Sequence, residues 1–246
     1  MHDGVKPDAL CGGRLVGGGR ASGIELRVGS ANVGTLRGRY GEVVEMAKRR
    51  RLDFCCLQET RWRGEGARIF GGCKIFWMGG EDGLAGVGVL VAERWFDKVM
   101  EVNRFSARLM VVRVMIGKSV LNLFSVYAPQ VGRSMDEKVE FYISLGKVLK
   151  TVKDNEYLVV CGDFNGHVGK DIEGFDGVHG GMGFGSRNVE GEMLLEFADA
   201  WKLAVANTWF KKDIGRLITY ESGDSKTVVD YILIRKAERK WMRNVN

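Results

Sequence analysis

The chain has 246 residues and a net charge of +6, with 37 Lys and Arg against 31 Asp and Glu. Apolar residues make up 45% of it and charged residues 28%, which excludes a disordered or collagen-like chain. No apolar run approaches the roughly 20 residues that a membrane-spanning helix needs. One large domain is expected at this length.

The first 23 residues are rich in glycine and poor in apolar side chains, which predicts a flexible tail ahead of a single domain at 24–246. They have neither the charged nor the apolar region of a secretory signal. The five cysteines, an odd number without a C-x-x-C pair, indicate reduced, buried thiols. An intracellular protein, nuclear or cytoplasmic and not secreted, is therefore expected.

Beyond residue 23, short apolar runs alternate with amphipathic stretches. The apolar runs predict strands at 25–33, 52–59, 86–92, 109–116, 119–127, 157–163 and 228–234. Stripes at helical spacing predict helices at 39–50, 135–152 and 188–203. Ser134 and Glu137 form a capping-box pattern at the start of the second helix. Gly117 and Lys118 join two strands at hairpin spacing. The pattern indicates an α/β layered domain that contains antiparallel pairs.

Three of the predicted strands end in polar residues that suit a metal ion or a phosphate, namely Asn32, Glu59 and Asp163. Such residues often cluster outside the strand ends of α/β sheets. In an extended segment, positions i and i+2 face the same side, so Asp163 and Asn165 are expected to converge. Asn and Asp also favour ordinary turns, which is the alternative explanation for each residue taken singly.

Two further positions add to this set. Tyr127 ends another predicted strand, and Pro129 fixes a rigid turn directly after it. A phenol and Arg133 held near two carboxylates suit a phosphate ester with bound Mg²⁺, which takes few protein carboxylates and keeps waters. Asp230 lies inside a strongly apolar strand, where Asp is rarely buried without a partner, so a cation or an imidazole beside it is expected.

Five ordered motifs resemble those of the endonuclease/exonuclease/phosphatase superfamily, the metal-dependent phosphoesterases related to DNase I and exonuclease III. They are QETRW at 58–62, YAPQ at 127–130, GDFNGHVG at 162–169, ANTWFKK at 206–212 and DYIL at 230–233. The resemblance covers roughly residues 25–240 and is closest to the apurinic-endonuclease-like domain of RTE-type non-LTR retrotransposons. It implies a four-layer α/β sandwich, DNase I-like, with two packed mixed β-sheets flanked by helices.

The resemblance also implies a role for each matching residue. Glu59 would bind Mg²⁺, or Mn²⁺ in its place, and Asn32 would help to hold metal and phosphate. Tyr127 would contact the scissile phosphate, and Asp163 would orient or deprotonate the attacking water. Asn165 would stabilise the charge that develops on the phosphate. These roles agree with in-line water attack on a phosphodiester, assisted by a metal and by fixed donors.

The implied partner is DNA, contacted by Arg61, Gln130 and Arg133, and the net charge of +6 suits a polyanion. A solvated surface explains much of that charge equally well. A monomer is expected, with no membrane contact and no nucleotide cofactor. Asp230 would orient the histidine of the family's terminal motif.

The sequence departs from the family at that histidine, because no histidine follows His179. The domain is therefore expected to be incomplete at its C-terminus, to lack the final histidine-bearing strand and to leave a sheet edge exposed. Losing an acid/base or electrophilic group costs on the order of 10²–10⁴-fold in rate, so weak or absent nuclease activity is predicted. Leu217, Ile218 and Thr227 stand where abasic-site endonucleases have aromatic residues, which favours loosely specific nicking over abasic-site repair.

Two other functions remain open at this stage. The chain could be a catalytically inactive relic that binds nucleic acid or a protein partner. It could also hydrolyse a phosphoinositide or a small phosphate ester, since that chemistry shares the metal centre.

Overall fold

The computed structural model describes residues 11–16, 24–222 and 225–245. Its strands are β1 (Cys11–Val16), β2 (Glu25–Asn32), β3 (Phe54–Gln58), β4 (Glu65–Phe70), β5 (Cys73–Met78), β6 (Val87–Ala92), β7 (Val99–Ser106), β8 (Leu109–Ile116), β9 (Ser119–Tyr127), β10 (Tyr157–Asp163), β11 (Leu203–Val205), β12 (Tyr220–Ser222), β13 (Ser225–Thr227), β14 (Asp230–Arg235) and β15 (Met242–Val245). Its α-helices are α1 (Tyr40–Arg49), α2 (Met135–Leu149), α3 (Val189–Ala200) and α4 (Ile214–Leu217), and 3-10 turns occupy Glu93–Lys98, Ala206–Trp209 and Lys236–Trp241.

Two large sheets form the body of the domain. One has the order β15-β1-β2-β3-β6-β5-β4, and the other has the order β11-β14-β10-β9-β8-β7. Each sheet contains one parallel pair, β2 with β3 and β9 with β10, while its other pairs are antiparallel. Both sheets are therefore mixed, as the resemblance implied.

Three apolar layers separate four structural layers. The largest joins the facing sides of the two sheets and includes Phe54, Val89 and Leu123. A second layer packs α2 and α3 on the outer face of the six-stranded sheet, and a third packs α1 on the outer face of the seven-stranded sheet. The predicted four-layer α/β sandwich is thus confirmed. None of the helices in the described ranges combines the length and apolarity that a bilayer crossing needs.

The seven predicted strands and three predicted helices are all present, with bounds shifted by a few residues. The Ser134 hydroxyl accepts a hydrogen bond from the Glu137 N–H at 3.2 Å, as the capping pattern predicts. The predicted hairpin is also present, since Ile116 pairs with Ser119 around Gly117. The buried cysteines among the described residues are free thiols, at positions 55, 56, 73 and 161.

Periodicity did not predict β4, β5 and β7. In β4, each residue is exposed or half-buried, so neither face repeats an apolar pattern. β7 is likewise exposed or half-buried along its length. These two strands are defined by pairing with their neighbours, which no local pattern reports. β5 differs from them, because it is an apolar run with buried residues that was overlooked.

β1 lies inside the segment 1–23 that composition predicts as a flexible tail. It pairs antiparallel with β2 along its whole length and also pairs with β15. The prediction is therefore wrong for residues 11–16, and the rest of it, 1–10 and 17–23, lies outside the described residues.

Glycine content misled the prediction because glycine is what this strand needs. Gly13 is buried where the sheets meet, and a Cβ atom there would lie 3.3 Å from the side chains of Ile232 and Val245. Such a contact is tighter than a side chain normally makes, so a residue without a side chain fits best.

Candidate active site

The predicted polar residues meet because the parallel pairs of the two sheets end at the same place. Within the sheets, Asn32 pairs with Gln58, and Tyr127 pairs with Asp163. The two sheets are joined here by Asn32, whose Nδ2 donates to Glu59 Oε1 at 3.0 Å and to Asp163 Oδ2 at 2.9 Å. One amide thus orients two carboxylates from different sheets.

The Glu59 side chain accepts three hydrogen bonds in the cluster. Its backbone has a φ of +53°, a left-handed conformation that a non-glycine residue rarely adopts. Besides the Asn32 amide, the Tyr127 hydroxyl donates to Oε1 at 2.9 Å and Arg61 Nη2 donates to Oε2 at 2.9 Å. The Glu59 side chain remains 14% exposed, so solvent reaches it.

The turn after Tyr127 places the two predicted DNA contacts differently. Gln130 Nε2 donates to the Tyr127 hydroxyl at 3.2 Å, so Gln130 belongs to the cluster. Burial, followed by the nearby charge of Glu59, raises the pKa of Tyr127, which keeps its hydroxyl a donor. The Arg133 guanidinium lies 3.9 Å from Glu137 and is exposed. Its backbone N–H donates to the Gln130 carbonyl at 2.9 Å, but its side chain makes no hydrogen bond to the cluster among the residues that the structure describes.

Asp163 and Asn165 come together, but not as two residues on one face of a strand. β10 ends at Asp163, and Asn165 has a φ of +49°. The Asn165 N–H donates to Asp163 Oδ1 at 2.9 Å, and its Nδ2 donates to the Ala128 carbonyl at 2.9 Å. The expectation of an extended segment was wrong, because the aspartate closes a turn on its own backbone instead. Phe164 packs inward between the six-stranded sheet and its helices.

Asp230 lies next to Asp163 across the β10–β14 pair. Both carboxyl groups are buried, with side-by-side negative charge, and burial is the first cause that raises the pKa of each. The Asn32 amide opposes the shift at Asp163, and the Thr219 hydroxyl opposes it at Asp230. Asp230 Oδ1 has no hydrogen-bond partner within the described ranges.

Neither histidine in the described part of the chain contacts Asp230 or Asp163. His179 is buried, donates through Nε2 to the Gly169 carbonyl at 3.1 Å and accepts at Nδ1 from the Gly181 N–H at 3.0 Å. The backbone of His167 is bonded to Asn188, which begins α3. Burial lowers the pKa of both imidazoles, so both are neutral at pH 7. Each is held in place by the loop around it.

Sequence reasoning missed Arg108, which lies between β7 and β8. Its Nη1 donates to the carbonyls of Tyr127 and Ala128, at 3.2 Å each, and its guanidinium lies 4.9 Å from the centre of the Tyr127 ring. The pairing of Leu109 with Val126 places Arg108 beside Tyr127. Because the residue precedes its strand in a plain turn, no local motif marks it.

A buried polar set lies one step behind the cluster. Ser30 donates to Gln58 Oε1 at 3.2 Å, and Gln58 Nε2 lies 3.5 Å from the Ser125 hydroxyl. All three side chains are fully buried, at 0% exposure. Buried polar groups that satisfy one another hold the two sheets in one alignment, which in turn positions the strand ends.

The fold and this cluster define a class of protein. The sequence profile of the Endonuclease/Exonuclease/phosphatase family matches residues 29–241, and the chain belongs to that family. Its fold is similar to that of the 3'-5' exonuclease NExo from Neisseria meningitidis, with a TM-score of 0.64 at 17% identity over 87% of this chain and 88% of that one. It is also similar to the endonuclease domain of TRAS1, a telomere-specific non-LTR retrotransposon, with a TM-score of 0.58 at 16% identity over 85% and 83% of the two chains.

Among curated proteins, the chain is similar to craniofacial development protein 2 of Bos taurus. The two are 28% identical over 225 residues, which is 90% of this chain but 37% of the relative. The protein of the same name from Tragulus javanicus is 27% identical over 38% of its length. The chain therefore spans well under half the length of these relatives.

Proposed function

We propose that the chain is a Mg²⁺-dependent phosphodiesterase that nicks DNA and derives from a retrotransposon endonuclease domain. The observation that carries this proposal is the hydrogen-bonded cluster of Asn32, Glu59, Tyr127 and Asp163 at the strand ends of both sheets. Support comes from the solved relatives, one of which is a 3'-5' exonuclease and another a retrotransposon endonuclease domain.

The donor set fits a hard divalent cation. Glu59 offers a solvent-reachable carboxylate, and the described residues contain no cluster of three or more His, Cys, Asp or Glu that would form a closed metal cage. Mg²⁺ needs no such cage, since it keeps several waters and binds through one or two carboxylates.

Glu59 would hold the cation, which when bound would neutralise phosphate charge and make a water more acidic. Asn32 uses its amide N–H groups on Glu59 and Asp163, and its Oδ1 accepts from the Gly34 N–H at 3.0 Å. Its proposed role is therefore to orient Glu59 for the metal.

The remaining residues would act on the phosphate and the water. Asp163 is held by donors at both carboxyl oxygens, so it would accept a proton from a water in one fixed orientation. The Tyr127 hydroxyl would exchange its hydrogen bond to Glu59 for one to a phosphate oxygen, and the second N–H of the Asn165 amide would donate to another. Arg61, Gln130 and Arg133 lie around the cluster or on its flanking turn and would contact the DNA backbone.

The test is relaxation of supercoiled plasmid in Mg²⁺. The parent is expected to nick, and Glu59→Gln and Asp163→Asn are each expected to lose about 10²–10⁴-fold in rate. Asp97→Asn, which changes an exposed carboxylate on a distant 3-10 turn, is the matched control and should nick like the parent. Variants of Glu59 and Asp163 that nick as fast as the parent would overturn the assignment.

A second candidate is favoured by the unpartnered oxygen of Asp230. In the described residues no imidazole or cation lies beside it, so none of these residues supplies the catalytic group that the family resemblance implies at this position. We therefore propose as the alternative a catalytically inactive relic that binds nucleic acid or a protein partner. This alternative predicts no Mg²⁺-dependent nicking together with DNA affinity that falls as salt rises; detectable nicking by the parent would remove it.

A further inference from the structure

Four aromatic rings form a continuous line beside the candidate active site. Trp77 contacts Trp62 edge to face, with ring centres 4.8 Å apart, and Trp62 lies 6.3 Å from Tyr40. Tyr40 in turn meets Phe70 edge to face at 4.8 Å. We call Trp77, Trp62, Tyr40 and Phe70 the aromatic track. Phe70 is 41% exposed and the other three rings are half-buried, so each ring keeps surface that solvent reaches.

The track begins at the candidate site. Trp62 follows Glu59 by three residues, and Arg61 between them bonds the Glu59 carboxylate. The backbone under the rings is close-packed, because a Cβ on Gly66 would lie 2.5 Å from the Trp77 ring and one on Gly79 would lie 1.7 Å from the Trp62 carbonyl. No residue with a side chain fits at Gly66 or Gly79, so the backbone there packs closely against Trp77 and Trp62 and holds them in fixed positions.

Arginines accompany the rings. Arg37 donates to the Arg61 carbonyl at 2.9 Å, and the Arg68 guanidinium lies 5.4 Å from the centre of the Tyr40 ring. Arg37, Arg61, Arg63 and Arg68 are all exposed. Within the described ranges, neither Arg63 nor Arg68 has a carboxylate within ion-pair distance.

Two carboxylates on α1 and β4, the elements that carry Tyr40 and Phe70, are already paired with other cations. Glu42 forms an ion pair with Arg39 at 3.2 Å, and Glu65 lies 3.9 Å from Arg104. Arg63 and Arg68 therefore present uncompensated positive charge to solvent, whereas Arg61 is paired with Glu59. Structural packing alone accounts for the rings, but it does not account for the unpaired guanidinium groups of Arg63 and Arg68.

We propose that the aromatic track and its arginines bind a single-stranded segment of nucleic acid that leads to or from the candidate site, an inference that rests on the proposed function. Proteins that hold single strands combine a cationic groove with aromatic side chains on which bases stack. Bases in a duplex are stacked on each other and cannot use these rings. The alternation of ring and guanidinium therefore selects a single strand over a duplex.

The experiment measures binding without hydrolysis. A fluorescein-labelled 12-nucleotide DNA strand, its duplex and the RNA strand of the same sequence are titrated with the full chain in EDTA, by fluorescence anisotropy. Phe70→Ala is expected to weaken single-strand binding about tenfold, the cost of one lost stacking contact, and to leave duplex binding unchanged. Phe105→Ala removes a phenylalanine that is 49% exposed on β7 and is the matched control.

A second variant checks the charge independently of the ring. Arg68→Ala should reduce the slope of log affinity against log salt on the single strand by about 0.7, which corresponds to one phosphate contact. Arg243→Ala, an exposed arginine on β15, should leave that slope unchanged. Comparison of the DNA and RNA strands shows which sugar the aromatic track accepts. The proposal is supported if the variants lose affinity for either of these single strands.

The proposal is overturned if the parent does not bind the single strand, if Phe70→Ala and Arg68→Ala bind like the parent, or if duplex and single-strand affinities fall by the same factor. Because no cleavage is scored, the result is separate from the plasmid assay. If the chain fails to nick plasmid but shows this binding pattern, the single-strand proposal is supported and the nuclease proposal is overturned. If the chain nicks but lacks the binding pattern, only the single-strand proposal is overturned.

Discussion

The two carboxylates on either side of Asp163 have opposite surroundings. Glu59 accepts hydrogen bonds from Asn32, Tyr127 and Arg61 and stays in contact with solvent. Asp230 is fully buried, and one of its oxygens has no partner in the described residues. Donors thus stabilise one carboxylate, whereas burial favours the protonated form of the other.

The difference shows that hydrogen-bond donors organise one part of this cluster, whereas burial dominates the other. Donors that converge on Glu59 fix its geometry. A buried carboxylate with an oxygen that lacks a donor costs stability whenever it is ionised. Substitutions on the Glu59 side should therefore reduce activity, whereas a substitution that neutralises Asp230 should raise stability.

Of the substitutions that test this contrast, Asn32→Ala is expected to have the largest effect. This change removes the amide that joins Glu59 to Asp163 and leaves the two carboxylates facing each other without the donor between them. Nicking should fall roughly 10²–10³-fold, the cost of losing one well-placed donor at a reacting centre. Plasmid relaxation rates measure it, with Asn103→Ala on β7 as the control. A loss below threefold would show that the amide does not organise the two carboxylates.

Asp230→Asn should stabilise the folded chain at neutral and alkaline pH. Because the folded-state pKa of Asp230 is raised, mainly by burial, the folded chain binds the proton more tightly than the unfolded chain. Its contribution to stability is therefore full below pH about 4, the ordinary carboxyl pKa, and is lost as the pH rises toward the folded value. The amide carries no such penalty, so the variant should melt at a higher temperature than the parent at pH 8, and the gain should shrink as the pH approaches 4.

The matched control is Asp53→Asn, since Asp53 is equally buried but fully bonded. Its carboxylate accepts from the Arg27 N–H at 2.9 Å, from Arg94 Nε at 2.6 Å and from Trp95 Nε1 at 2.7 Å. Asp53→Asn should lower the melting temperature at pH 8, because it weakens charge-assisted bonds. Thermal melts that shift in the same direction for both variants would contradict the contrast between bonded and unbonded carboxylates.

The smallest effect is expected from Gln130→Ala. Gln130 is exposed and donates to the Tyr127 hydroxyl at 3.2 Å, so it affects Glu59 only through Tyr127. Net hydrogen bonds of this kind contribute about 1 kcal/mol, which corresponds to a rate loss of roughly fivefold. Relaxation rates at saturating DNA would measure it. A loss as large as that of Asn32→Ala would mean that Gln130 acts directly on the substrate.

Much of the candidate site could be predicted because it lies where strands end. Asn32, Glu59, Tyr127 and Asp163 each follow a recognisable apolar run, and parallel neighbours bring such ends together. Arg108 could not be predicted, since its contact with Tyr127 depends on the register between β8 and β9. The turn at Asn165 was also missed, because the carboxylate of Asp163 competes with the strand for the backbone N–H.

The fold was predictable to the same extent and for the same reason. Strands with a buried face carry their own pattern, as in β3 and β6. Strands that are exposed, such as β4, or rich in glycine, such as β1, take their conformation from the strand beside them. Local preference is weak there, and pairing decides the outcome.

The pairing of β1 with β15 has a consequence for the order in which the molecule is built. Gly13 pairs with Val245, so one edge of the seven-stranded sheet is formed by residues that lie far apart in the sequence. Contacts between such distant residues form late, because the chain between them must first be arranged. During synthesis, the edge of β1 that pairs with β15 stays unpaired until residue 245 has left the ribosome. In that interval this edge can pair wrongly with other strands.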